Sequence, residues 1–289
     1  MNKFPIASIL AIYLILILPN FLTAGPDSTQ TVLYRIELTD GSVLMGTIIS
    51  EDETSIQFRT VSELDVTIQK DRIAKRDISS AKVVEGKVWR SDPNRTRLFF
   101  APTGRALKAG QGYFSVYEIF FPFIAVGVTD FLALAGGLSL FPGSSEQLFY
   151  LAPKITPIQL GKFDLSGGVL YIFIPNEEDN AGIFYGVGTY GNQSASLTVG
   201  IGFGFSGGDV ADKPVFAVGA ELRSSNSVAF ITENWFIPDS EYQIVSFGLR
   251  FFGENLAADF GLIHPAGADT EGFPFFPWIG FAFNFGATH

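Results

Sequence analysis

The chain from residue 95 onward repeats a pattern of alternating apolar and small or polar positions, interrupted by turns. In residues 195–205, apolar side chains such as Val199 occupy the odd positions, whereas Ser196, Thr198 and glycines occupy the even ones. Because successive side chains of a strand point to opposite faces, this pattern predicts strands with one apolar face and one face of small residues. The same alternation recurs in residues 131–140, 243–251 and 256–262.

Turn signals divide this region into about twelve predicted strands, within a range of 10 to 14. Short turns, such as those at Thr129-Asp130 and Glu254-Asn255, alternate with longer loops. Residues 102–112 are predicted to form the first of the longer loops, and Pro122 is predicted to mark a bulge. The predicted strands are 96–101, 112–128, 131–140, 147–154, 163–174, 183–190, 194–204, 215–223, 227–236, 241–252, 256–263 and 278–285.

A separate small module precedes this region. Strands are predicted at 32–38 and 43–49 around the hairpin turn Asp40-Gly41, and at 56–60, 64–68 and 78–84. Five short strands in so few residues predict a small curled barrel with its core at about 31–84. The run from Leu38 to Ile48 resembles small SH3-like or Sm-like barrels. Sm-like relatives bind RNA, but this copy is acidic, so no binding residues are carried over.

Composition and charge separate the two regions and restrict the partners. Residues 25–94 hold nine Lys and Arg and twelve Asp and Glu, whereas the much longer 95–289 holds nine and seventeen. The chain has 30 Phe, 31 Gly and only 17% charged residues, a mixture that favours strands and turns over helices. A net charge of -10 argues against a nucleic-acid partner, and without cysteine no disulfide can form.

The first 24 residues predict a secretory signal peptide. Lys3 supplies the positive end, residues 6–18 the apolar run, and Leu22-Thr23-Ala24 a small-residue cleavage site. The alternative, an uncleaved membrane anchor, is disfavoured because Pro19 shortens the apolar run. We therefore expect export.

The alternation of short turns and long loops in residues 95–289 resembles bacterial outer-membrane β-barrels. Aromatic clusters at predicted strand ends resemble the girdles of such barrels, and the last strand, Trp278 to Phe285, resembles the C-terminal signal read by the barrel-assembly machinery. Four residues follow that strand here, in a departure from the usual pattern. The resemblance implies an outer-membrane barrel in contact with lipid, with the N-terminal module in the periplasm.

Four charged residues are predicted to face the barrel interior. If Glu254-Asn255 forms a two-residue turn, Arg250 lies opposite Asp259 on the face away from the apolar side chains. Glu221 and Arg223 share the corresponding face of their strand. These charges either line a narrow pore or form a neutral network that braces the walls, and the second reading is favoured because opposite signs so close together cancel.

The sequence offers little for catalysis or metal binding. Only His264 and His289 are present, so no metal site of the usual type, and no cofactor, is expected. The acidic loop 176–180 reads as a solvated loop rather than a calcium site. A lipid-modifying enzyme would need a Ser or Thr near His264, and no motif supplies one.

The sequence therefore predicts an all-β protein: a signal peptide (1–24), a small SH3-like module with its linker (25–94) and an antiparallel transmembrane barrel (95–289). The expected function is non-enzymatic, as a passive pore or a structural membrane protein whose periplasmic module interacts with a partner. Two alternatives stay open, a lipid-modifying barrel enzyme that uses His264 and a soluble exported β-sandwich that binds a ligand.

Overall fold

The computed structural model divides the chain into two compact units, with the boundary between Ser91 and Asp92. Among the described residues the secondary structure consists of strands and one 3-10 turn, with no α-helix. No helix in this part of the chain has the length and apolar character needed to cross a membrane. The predicted signal peptide lies outside the described residues, which are 32–79, 82–84, 87–89, 91–144, 146–176, 180–268 and 272–286.

The first unit is built on a five-stranded antiparallel sheet in the order β4-β3-β2-β1-β5. Ile36, Ile56, Phe58 and Ile68 form its buried core. Its elements are β1 (Leu33–Leu38), β2 (Val43–Glu51), β3 (Ser55–Thr60), β4 (Asp65–Gln69), the 3-10 turn (Lys70–Arg72), β5 (Ile73–Ser79), and the separate pair β6 (Lys82–Val84) and β7 (Lys87–Trp89).

The predicted turn at Asp40-Gly41 joins β1 to β2. Gly41 has a φ of 84°, and the Asp40 carboxylate accepts a hydrogen bond from the amide of Ser42 at 2.8 Å. The predicted fifth strand at 78–84 is wrong: β5 begins at Ile73 and pairs with β1, and residues 82–84 pair with β7 instead. Because the sequence from Ile73 to Asp77 is largely charged, it lacks the apolar alternation from which a strand is predicted.

Asp52 fixes the turn between β2 and β3. Its carboxylate accepts hydrogen bonds from the amides of Thr54 and Ser55, each at 2.8 Å, and from both hydroxyls. These bonds lower the pKa of Asp52 from 3.8 to about 2. Because the pKa is lower in the folded state, the ionised carboxyl stabilises the fold at pH values above its ordinary pKa. This stabilisation is lost as the pH falls through the folded-state pKa. We therefore expect the Asp52 carboxyl to titrate near pH 2 by NMR; titration near 4 would contradict the capped turn.

The second unit is a closed antiparallel barrel. Each of its strands pairs with two neighbours, and the sheet closes through the β21–β8 and β9–β10 ladders. Two short segments, β11 and β12, lie end to end and act as one wall strand between β10 and β13, so the wall has twelve strands. The segments are β8 (Gln111–Tyr117), β9 (Phe121–Gly127), β10 (Leu132–Leu138), β11 (Phe149–Leu151), β12 (Lys154–Leu160), β13 (Phe163–Phe173), β14 (Ala181–Gly191), β15 (Ala195–Ser206), β17 (Val215–Arg223), β18 (Val228–Phe236), β19 (Gln243–Phe252), β20 (Leu256–Ala266) and β21 (Phe276–Gly286), while β16 (Asp209–Val210) pairs only with β15 in a loop.

The two faces of the wall differ as the alternation predicts. On β15, Val199 is 49% exposed, whereas Ser196 is 1% exposed. Exposed Phe, Leu, Ile and Val side chains recur around the outside, and small or polar residues point inward. The soluble-sandwich alternative is wrong, because the sheet closes on itself and its apolar face does not pack against a second sheet.

The first predicted strands of the barrel need correction, although the count of twelve is right. Residues 112–128 form two strands, β8 and β9, with Pro122 inside β9 and not at a bulge. The chain turns at Glu118 and Ile119, whose φ angles are 47° and 66°. Residues 96–101 are not a strand of the wall, and residues 102–112 are not an outer loop. The turn was missed because a β-branched residue at positive φ is rare.

Candidate functional site in the barrel lumen

Residues 92–110, named here the plug, fold inside the barrel. A small loop forms where the amide of Thr103 donates to the carbonyl of Thr96 and the amide of Leu98 donates to that of Ala101. Leu98 and Phe99 are almost fully buried and contact the inward-facing Ile231 and neighbouring tryptophans. The plug thus lies within the lumen, and it reaches the short-turn side, where Arg105 donates to the carbonyl of Asn192.

Arg250 is the centre of the attachment on one side. Its side chain has no exposed surface and pairs with Asp259 through two hydrogen bonds of 2.6 and 3.0 Å. The remaining donors reach the plug: Nη2 donates to the carbonyl of Leu98 at 2.6 Å, and Nη1 to the carboxylate of Asp92 at 3.0 Å. Nη1 also contacts the carbonyls of Asn94 and Arg97. One arginine therefore ties four plug residues to β19.

Two buried glutamates hold further parts of the plug. Glu233 accepts hydrogen bonds from the amides of Phe100 and Ala101 at 3.0 and 2.9 Å. Glu221 accepts from Arg105 of the plug at 2.5 Å and lies 3.4 Å from Arg250. Carboxylates that accept backbone and guanidinium hydrogens make strong, charge-assisted bonds.

The opposite wall holds the plug through hydrogen bonds to the backbone of the plug. Lys154 donates to the carbonyls of Thr103 and Arg105 at 3.1 and 2.7 Å. Gly104 lies so close to the wall that its amide donates to the Thr189 hydroxyl at 2.8 Å and its carbonyl accepts from Ser166 at 2.7 Å. Because contacts come from opposite sides of the wall, the plug crosses the lumen.

The structure places the four predicted charges as follows. Arg250 lies opposite Asp259 in the β19–β20 ladder, and both are buried on the inner face with Glu221 in the same network. Arg223 is also buried, but it donates to the carbonyls of Ser225 and Asn226 at the neighbouring short turn.

Sequence reasoning missed Glu233, Lys154 and the plug itself. Glu233 is flanked by Thr232 and Asn234, so the sequence alternation does not tell which side of β18 faces inward. Lys154 follows Pro153 at the break between β11 and β12, where the predicted strand ended. A lone cation in an otherwise apolar stretch was the available signal.

A cavity of about 380 Å³ occupies the half of the lumen beyond the plug, toward the longer loops. Its floor includes Thr96 and Arg97 of the plug, and its rim includes Glu118 and Leu148. Most of its lining is apolar or aromatic: Phe100, Tyr113, Tyr117, Phe121, Phe123, Tyr150, Tyr185 and Trp278 among others.

His264 does not belong to this lumen. It pairs with Val245 on the outward face of β20, its Nδ1 lies 2.8 Å from the Pro274 carbonyl, and its ring lies beside Phe275. Within the described residues no Ser or Thr hydroxyl bonds to it, and no cluster of acidic or imidazole groups could hold a metal ion. Residues 177–179 of the acidic loop lie outside the described part.

Comparison with known proteins finds no matching family model and no matching curated protein. The chain is similar to solved structures of porins and of an outer-membrane protein. The KdgM porin has a TM-score of 0.46 at 7% identity and covers 62% of this chain and 99% of its own. The NanC porin has a TM-score of 0.41 at 7% identity, and the match covers 61% of this chain and 98% of the NanC chain. Omp33 of Acinetobacter baumannii has a TM-score of 0.36 at 10% identity, and the match covers 63% of this chain and 100% of the Omp33 chain. The fold is defined by the chain's own strand pairing.

Proposed function

We propose that this chain is a non-enzymatic outer-membrane barrel whose lumen is sealed by residues 92–110. The observation that carries the proposal is the ring of hydrogen bonds between the plug and four wall residues, of which Arg250 and Lys154 donate and Glu233 and Thr189 accept. A twelve-strand barrel would otherwise enclose a lumen wider than side chains alone fill. The protein then serves as a structural or ligand-binding wall protein rather than an open porin.

The exterior of the barrel supports a membrane location. Its outward side chains are apolar around the wall, including Val199, Ile201, Phe230 and Phe281, each more than one third exposed. Soluble proteins rarely expose apolar patches of this extent, whereas lipid-facing strands require them.

A charge on this face tests the location. Replacement of Val199, midway along β15, with Arg is expected to lower the free energy of unfolding in lipid vesicles by about 2–4 kcal/mol, because the charge enters hydrocarbon. Val210→Arg is the matched control, since Val210 is 52% exposed in the β15–β17 loop and should change stability by less than about 0.5 kcal/mol. Equal effects at the two sites would argue against a lipid-facing wall.

The barrel has a defined orientation in this proposal. The first and last wall strands, β8 and β21, begin and end at the short-turn side with Gln111 and Gly286. Short turns face the periplasm in outer-membrane barrels, so the N-terminal module belongs in the periplasm. We extend the SH3-like resemblance to this module as part of the proposal, with a periplasmic partner bound by it.

Insertion into the membrane is proposed to use the last strand. Phe281, Phe283 and Phe285 alternate along β21 on the outward face and are 41–53% exposed. This is the segment that the barrel-assembly machinery would read.

An electrical recording tests whether the sealed lumen blocks ions. Purified protein inserted into a planar bilayer should show no stable conductance steps, because the plug blocks the ion path. Regular steps from the unmodified protein would show an open pore and overturn the proposal.

A further inference from the structure

The cavity above the plug combines an apolar wall with a floor that holds a buried arginine, Arg97, without an ion-pair partner among the described residues. Arg97 is 3% exposed, and its guanidinium lies against the rings of Tyr117, Phe123 and Tyr113 at 4.3, 5.2 and 5.4 Å. Its Nε donates to the Asn94 side chain and its Nη2 to the Ser115 hydroxyl. Both partners are neutral, and no carboxylate lies within ion-pair distance of Arg97 in the described chain.

Three buried polar atoms of residues that line this cavity have no hydrogen-bond partner within the described part of the chain. They are Arg97 Nη1, the Thr96 hydroxyl and Trp278 Nε1, and all three residues line the cavity. Two of the three are groups that only donate, and buried donors in native proteins are almost always satisfied. A guanidinium stays charged when buried, so a ligand that accepts hydrogen bonds and carries negative charge would satisfy the floor.

Lys154 is a second basic residue of the lining. Its side-chain nitrogen donates to the carbonyls of Thr103 and Arg105. The one carboxylate in the lining is Glu118, at the rim, where it accepts a hydrogen bond from the amide of Ile279. The lining therefore has its basic side chains at the floor and its carboxylate at the rim.

The rest of the lining determines the body of the ligand. Phe100 of the plug is 46% exposed, although it lies inside the barrel, because its ring borders the cavity. Small residues such as Ala125, Ala133 and Ala135 leave space between the surrounding aromatic side chains. The volume of about 380 Å³ is within the range of about 300–1,000 Å³ typical of small-molecule sites.

We infer that this cavity binds an amphipathic carboxylate with a single apolar chain, its head on Arg97, Trp278 and Thr96 and its chain along the aromatic wall toward the rim. This site goes beyond the proposed sealing function, since it needs only the closed wall and the plug. The size of the cavity and the single group of donors favour a fatty-acid-like molecule over a lipid with two chains.

The test is calorimetry with three probes of equal chain length, decanoate, decanol and decylammonium, on full-length protein in nanodiscs. Empty nanodiscs of the same lipid provide the blank for partitioning. We expect decanoate to bind about tenfold or more tightly than decanol, because a hydrogen-bonded charge pair forms only with the carboxylate, and decylammonium to bind weakest. Equal affinities for decanoate and decanol would overturn the assignment of an anion site.

Three variants locate the binding. Ala135→Trp fills the cavity from the wall and should abolish decanoate binding. Arg97→Gln should bring decanoate down to the level of decanol. Trp278→Phe should weaken decanoate more than decanol, because the charged acceptor makes the stronger hydrogen bond with the indole N–H. If Arg97→Gln releases the plug, the other two variants still test whether decanoate binds in this cavity. Unchanged decanoate binding in Ala135→Trp would show that the ligand is bound elsewhere and would overturn the site.

Discussion

Replacing Arg250 with Met is expected to release the plug and to turn a sealed barrel into a conducting one. The substitution keeps the apolar length of the side chain but leaves Asp259 buried without its partner and frees the carbonyl of Leu98 and the carboxylate of Asp92. Removal of one partner from a buried ion pair costs roughly 3–5 kcal/mol. We expect a loss of that size in the free energy of unfolding, together with conductance steps in planar bilayers.

Two further variants control this experiment. Arg59→Met removes an ion pair with Asp65 in which both side chains are about half exposed, and should cost no more than about 1 kcal/mol. Arg250→Met combined with Asp259→Asn should regain part of the lost stability, because one buried charge is neutralised. If Arg250→Met changed neither heat stability nor conductance, both the bracing and the pore readings of this residue would fail.

Gly104→Val is expected to detach the other side of the plug. A Cβ atom at this position would lie 2.4 Å from the Asp164 carbonyl oxygen and 2.8 Å from the Thr189 amide nitrogen, and both are backbone atoms. The plug must therefore move off the wall, with the loss of its bond to Thr189. Overpacking of this kind costs about 1–3 kcal/mol. Trypsin should then cut after the neighbouring Arg105, which is shielded in the native barrel.

Gly186→Val is the matched control for this variant. Gly186 lies on the same strand as Thr189, but a Cβ there would meet no atom within 4 Å. Valine suits a strand, so stability should be unchanged or slightly higher. Cleavage after the exposed Lys213 confirms that the protease is active. Identical melting and cleavage in the two glycine variants would mean that residue 104 does not touch the wall.

The sequence was sufficient to predict the regular part of the barrel. Alternation in residues 195–205 determines which side of β15 faces outward, because the side-chain period of a strand is two. The tight turn at Glu254-Asn255 sets the pairing of Arg250 with Asp259, since a two-residue turn leaves one register. Both inferences use local chemistry alone.

The plug could not be predicted in this way. Residues 96–101 end in the apolar run Leu98 to Ala101 and resemble a wall strand. Their backbone amides and carbonyls, however, bond to Glu233 and Arg250 rather than to a neighbouring strand. Those partners are more than 130 positions away in the chain. No local pattern records a contact of that separation.

The hairpin between β8 and β9 escaped prediction for a different reason. Its turn uses Glu118 and Ile119 at positive φ, where glycine or asparagine would be the recognisable signal. The missed hairpin and the false strand at 96–101 compensated each other, so the strand count was right while the first segments were not. The cavity could not be predicted either, because it exists only where the plug ends.

Hydrogen–deuterium exchange of residues 92–110 in the native, detergent-solubilised protein tests the sealed lumen most directly. The amides of Leu98, Phe100, Ala101 and Gly104 all have partners inside the barrel, so this peptide should exchange as slowly as β19 and β20. The loop 207–214 supplies the fast reference. Exchange of residues 92–110 at the rate of that loop, with the wall strands still protected, would contradict a plug held inside the barrel.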